Sequence, residues 1–109
     1  MRYALLSVVL LSACVAPVVA AKPIALPARD IALVQSAMSY DLYDPSAAQF
    51  RGVRAAMVTL QSGATVRRIC GEMNGKNQYG AYVGYEHFSG VLDGGKWRQD
   101  PILGACEGK

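Results

Sequence analysis

Two cysteines, Cys70 and Cys106, constrain this chain most strongly, because they follow an N-terminal export signal. Arg2 supplies a short positive start, and Ala4 to Cys14 (ALLSVVLLSAC) is an apolar run. That run falls short of the ~20 residues a permanent membrane helix needs, and no second apolar run follows it. An exported chain reaches an oxidising compartment, where an isolated cysteine pair becomes a disulfide. The loop so closed spans roughly 35 residues, which chain entropy values at about 3–4 kcal/mol. For one small domain that is a large share of net stability. The alternative is two free buried thiols.

Two cleavage readings stand side by side. Leu11-Ser12-Ala13-Cys14 matches the bacterial lipobox, in which Cys14 becomes the first mature residue and its thiol carries a diacylglycerol. Val18-Val19-Ala20 before Ala21 matches an ordinary signal-peptidase site. No Asp follows Cys14, so a lipidated form in a Gram-negative cell is expected at the outer membrane, on its periplasmic face. The other reading is a soluble periplasmic or secreted protein. Residues 1–20 are thus read as signal, 21–28 as a proline-punctuated linker containing KPIALP, and 29–109 as one domain.

The formal charge of the 109-residue chain is +3 and falls to +2 when Arg2 leaves. Basic residues are scattered, with only Arg67-Arg68 adjacent, which excludes a nucleic-acid footprint.

Asp30 to Asp41 is expected to form a helix, with Ile31, Val34, Met38 and Leu42 on one face and Ala37 beside them. Asp44-Pro45 suits a cap followed by the first helical position, giving one or two helical turns that deliver Phe50 to the core. Val53 to Gln61 and Ala64 to Met73 read as strands joined at Ser62-Gly63. Alternation in the second is poor, and Gly71 is a candidate bulge. Asn74-Gly75 is the strongest hairpin signal, both residues accepting positive φ. Tyr79 to Phe88 alternates like a strand, with Gly80 and Gly84 leaving room for a close neighbour. Asp93-Gly94-Gly95 turns the chain again, and Lys96 to Arg98 reads as an edge strand. The expected fold is α+β: an N-terminal helix and a short capped helix on a three- to four-stranded antiparallel meander.

Catalytic chemistry has little to draw on. His87 is the only histidine and has no cysteines at metal spacing, so neither a metal site nor a cofactor is expected. There is no Gly-x-Ser-x-Gly elbow and no phosphate loop before a helix. The chain is read as a non-enzyme. Tyr79, Tyr82 and Tyr85, with Phe88 and Trp97, are either core filling or a binding surface. Asn74, Lys76 and Asn77 are either turn residues or contacts, Lys76 then carrying its charge at a hairpin tip.

Asp44 to Arg51 (DPSAAQFR) and Cys70 to Phe88 (CGEMNGKNQYGAYVGYEHF) resemble a family of small exported proteins and lipoproteins of Proteobacteria and their phages. Its pattern is roughly D-P-x-S-A-x-F, then C-G-x-x-N-x-K-N-x-x-G-x-Y-x-G-x-x-x-F. The resemblance implies a compact exported domain in which Asn74, Lys76, Asn77, Gly80, Tyr82 and Gly84 matter together. It implies no particular activity. The expected role is a cell-envelope protein acting through contacts with an envelope partner, and with the membrane where Cys14 is lipidated. The alternatives are an inhibitor or exclusion factor against a lysozyme-like enzyme or phage receptor, and a small glycan-binding domain or hydrolase.

Overall fold

The computed structural model describes residues 18–100 and 105–107. Five strands form one antiparallel sheet in sequence order: β1 (Val18–Ile24), β2 (Gln49–Leu60), β3 (Thr65–Asn74), β4 (Glu86–Asp93) and β5 (Lys96–Gln99). One helix, α1 (Ala28–Ser39), joins β1 to the segment before β2. Short 3-10 turns lie at Pro45–Ala47 and Ala105–Glu107. The α+β reading and the Cys70–Cys106 disulfide are both present.

β1 is the strand the sequence did not announce. Lys22–Ile24, read as linker, and Val18–Ala20, read as the end of the signal, pair with β2 from Leu60 to Ala55. Pro23 misleads, because proline cannot donate to a ladder. β1 lies at the sheet edge, where a missing donor costs little. The sheet therefore has five strands instead of three or four.

The poor alternation in β3 has a simple cause: both faces of the central strands are covered. On one face Ala55, Ile69 and Phe88 pack with Val34 of α1. On the other, Ala56, Val58 and Cys70 pack with Val18, Ala105 and Cys106. Arg68, on the Cys70 side, is itself buried and bonds Ser89 Oγ and both a carboxylate oxygen and the main-chain carbonyl of Asp100. The disulfide clamps the C-terminal turn over this second face and closes a 36-residue separation, worth about 4 kcal/mol on chain entropy.

α1 begins after Pro27, earlier than expected, and ends at Ser39. Val34 is its buried residue, Met38 packs beside it, and Ala37 is exposed. Asp30 sits in the first turn, favourable for the helix dipole, and ties α1 to β3 through Arg67 at 3.0 Å. Asp44 makes no side-chain cap; its carboxylate accepts from Ser46 Oγ at 2.7 Å instead. Pro45 does occupy the first helical position, but the 3-10 turn is brief, and Phe50 reaches the core from β2. There it meets Phe88 edge-on at 6.1 Å, and Phe88 meets Trp97 edge-on at 6.0 Å.

The turn at Ser62-Gly63 and the two-residue hairpin at Gly94-Gly95 form as read, the latter with φ of 62° and 82°, the two positive angles that match strand twist. The bulge lies on β2 between Arg51 and Arg54, at Gly52 with φ 64°. Gly71 is buried packing instead: a Cβ there would stand 2.8 Å from Phe88 Cζ.

Candidate functional site

The segment 75–85 connects β3 to β4, and it is a loop. The alternating pattern from Tyr79 suggested a strand, yet β4 begins only at Glu86. Gly80 and Gly84 decide this with φ of 81° and 107°, backbone that no strand uses. A Cβ at either position would meet nothing within 4 Å, so they supply conformation and not room for a neighbour. Gly75, in contrast, is not among the positive-φ glycines; its missing side chain admits Leu42, whose Cδ1 would lie 3.1 Å from a Cβ. The chain reverses at Asn77 to Gly80.

The loop is held by its own polar groups. Lys76 and Tyr82 form an isolated antiparallel bridge. The Asn77 amide donates to Ala81 O at 2.8 Å, Gly80 to Asn77 O at 3.0 Å, and Val83 to Gly75 O at 3.2 Å. Asn77 Oδ1 accepts from the Tyr79 and Ala81 amides at 2.9 and 3.1 Å, an asparagine side chain mimicking a turn. Asn74, buried at the end of β3, accepts from the Gly84 amide at 2.9 Å through Oδ1. Two contacts then fasten the loop to the segment before β2. The Tyr82 hydroxyl donates to Ala47 O at 2.8 Å, and the Tyr43 hydroxyl donates to Gln78 Oε1 at 3.2 Å.

Beside the loop lies a polar cluster on β2, β3 and β4. Arg51 Nε donates to Glu72 Oε1 at 2.7 Å, and its guanidinium covers the Tyr85 ring at 3.9 Å. His87 Nε2 is 3.5 Å from Glu72 Oε2. The Arg51 hydrogen bond holds the Glu72 carboxyl below the ordinary glutamate range, and the same bond raises Arg51.

The six candidate residues therefore take different places. Asn74 and Asn77 build the loop. Lys76 stands at its base, half-buried, with Nζ 5.3 Å from the Tyr82 ring; the tip belongs to Gln78 and Tyr79. Tyr82 anchors the loop and Tyr85 stacks on Arg51. Tyr79 is 84% exposed, and it is the one candidate tyrosine for which no contact ring-side is seen among the described residues. Val83 is 62% exposed and Tyr43 73% exposed; neither was singled out from the sequence. A pattern read along one strand does not show that Tyr43, far away in the chain, closes over Gln78.

The two motif segments, Asp44–Arg51 and Cys70–Phe88, meet in space through Ala47 with Tyr82, Phe50 with Phe88, and Arg51 with Glu72. Among the described residues no three His, Cys, Asp or Glu side chains gather at metal-binding distance. What the loop offers is aromatic surface and hydrogen bonding. A separate shallow groove of about 390 Å³ lies between α1 and β5, lined by Leu33, Ala37, Tyr40 and Trp97.

No family model, curated protein or solved structure matches the chain.

Proposed function

We propose that the chain is a non-enzymatic protein of the cell envelope that acts through protein–protein contacts, and that the 75–85 loop is its contact surface. The observation carrying this reading is the pairing of rigidity with exposure. Tyr79 and Val83 face solvent from a loop whose backbone is bonded at both ends and across its middle. Exposed apolar and aromatic side chains on a mobile loop would lose ordering entropy on binding. On a fixed loop that cost is already met, and tyrosine gives a large contact area with few rotatable bonds. The export signal and the disulfide support an oxidising, extracytoplasmic compartment. The resemblance to small exported proteins and lipoproteins points the same way.

The test is affinity capture from envelope extract with the folded, oxidised domain as bait. Tyr79→Ser combined with Val83→Ser should lose a specific captured protein while keeping the wild-type circular dichroism. Tyr40→Ser, in the groove between α1 and β5, should keep it. Capture that is the same for all three baits would refute the loop as contact surface.

A further inference from the structure

β5 is an edge strand, so one side of its backbone has no neighbouring strand. The Asp100 amide donates to Ser89 O at 2.9 Å, and Asp93 and Lys96 flank the two-residue hairpin. Bonded and non-bonded pairs alternate along an antiparallel ladder. Ser89–Asp100, Val91–Arg98 and Asp93–Lys96 are thus the bonded pairs. The N–H and C=O groups of Trp97 and Gln99 point away from the sheet, and among the described residues nothing bonds them.

Beside this edge lies the groove of about 390 Å³ that Leu33, Ala37, Tyr40 and Trp97 line. Trp97 faces α1, its Nε1 donating to Met38 Sδ at 3.2 Å, while Leu33 and Tyr40 are 42% and 80% exposed. Side chains alternate along a strand, so Gln99 shares the Trp97 face and Lys96 and Arg98 share the other. Both cations are exposed. Asp93 sits across from Lys96, yet among the described residues neither cation forms an ion pair.

We propose that β5 binds an extended acidic segment of a partner protein as an added antiparallel strand, with its apolar side chains in the α1 groove and its carboxylates beside Lys96 and Arg98. Main-chain bonds to Trp97 and Gln99 hold such a strand, and the groove reads every second side chain. Charge selects the occupant. A second copy pairing antiparallel through the same edge would set these cations against their own counterparts, and like charges facing across strands destabilise. An acidic strand replaces that repulsion with attraction. The opposite edge, β1, is poorer because Pro23 removes a donor. Lys96 pairs with Asp93, which lies about 23 Å along β4 from Glu86, where the 75–85 loop ends. The edge and the loop are thus separate surfaces.

The probe is a short, end-blocked synthetic peptide alternating valine and glutamate, titrated into the exported, oxidised protein. Trp97, the single tryptophan of the chain, reports binding by fluorescence. Bound peptide should slow amide exchange at Trp97 and Gln99 by about tenfold or more and leave Arg98, already bonded inward, unchanged. In the antiparallel register the valines lie opposite Trp97 and Gln99, so N-methylation of the valine amides should abolish binding, whereas N-methylation of the glutamate amides should keep it. Lys96→Gln combined with Arg98→Gln, both on the exposed edge, should weaken binding about tenfold. No fluorescence change at about 1 mM peptide would overturn the proposal. So would equal binding of a peptide with lysine in place of glutamate, equal binding of the two N-methylated forms, or protection that falls on residues 75–85 instead of Trp97 and Gln99.

Discussion

Replacing Asn77 with alanine removes a single oxygen that serves two backbone donors. Asn77 Oδ1 accepts from the Tyr79 amide at 2.9 Å and the Ala81 amide at 3.1 Å. A typical intramolecular hydrogen bond contributes about 0.5–1.5 kcal/mol net. Both amides are in exposed residues, so water replaces part of each bond, and the low end of that range applies. The pair is thus worth about 1–1.5 kcal/mol. The backbone bonds from Asn77 to Ala81 and from Gly80 to Asn77 remain in the variant. The loss should therefore fall on opening of the loop and not on the sheet. One to 1.4 kcal/mol is a factor of about five to ten in an opening equilibrium. Amide hydrogen exchange followed by NMR should show Tyr79 and Ala81 exchanging about five- to tenfold faster, with Ile69 and Cys70 in β3 unchanged. Asn77→Asp keeps an acceptor and should retain most of the protection. Unchanged exchange at Tyr79 and Ala81 would refute the side-chain turn. An equal acceleration in β3 would refute the separation of loop opening from global unfolding.

Three further expectations follow from the packing and the charges. Gly71→Ala puts a Cβ 2.8 Å from Phe88 Cζ and 3.1 Å from Val53 Cγ2, so chemical denaturation should show a loss of about 1–3 kcal/mol; an unchanged midpoint would mean that the Phe88 ring moves aside freely. Gly75→Val forces branches against Leu42 and should destabilise by a similar about 1–3 kcal/mol, whereas Lys76→Ala should cost no more than about 1 kcal/mol, the cation–π contact at 5.3 Å being solvent-accessible; the reverse order in thermal melts would contradict this assignment. Glu72 has its pKa lowered from 4.5 by the Arg51 bond, so its contribution is present at neutral pH and is lost as pH falls through the depressed folded value; a carboxyl NMR titration should give a midpoint below 4.5, and Arg51→Gln should bring it back toward 4.5. A wild-type midpoint at or above 4.5 would contradict the ion pair.

Local chemistry was legible in the sequence and long-range chemistry was not. Ser62-Gly63 and Gly94-Gly95 could be read because glycine reports the backbone angle its own position requires. α1 could be read because Val34 and Met38 share a face at helical spacing. β1 could not, since VVAAKPI looks like a small-residue cleavage site running into a proline linker; only pairing with Ala55 to Leu60 makes it a strand. The Tyr79 to Phe88 pattern misled in the opposite sense. Its period of two is real, but Gly80, Gly84 and the two asparagine side chains fix a loop against it. Arg68 inside β3 broke the expected alternation because its partner, Asp100, arrives from the far end of the sheet. In the candidate segment the structure changes the expected place of Lys76. Lys76 is at the base and not at a hairpin tip, the tip holds Gln78 and Tyr79, and Tyr43 reaches Gln78 from a position no local pattern connects.

The most direct test of the loop as a contact surface is site-specific photocrosslinking in intact cells. A photoreactive phenylalanine analogue replaces Tyr79 at the exposed tip, and in a second strain replaces Lys96 on the edge strand β5. A discrete cross-linked adduct is expected from position 79, absent from position 96 and lost when Val83→Ser is added. No adduct from position 79, or the same adducts from both positions, would contradict it.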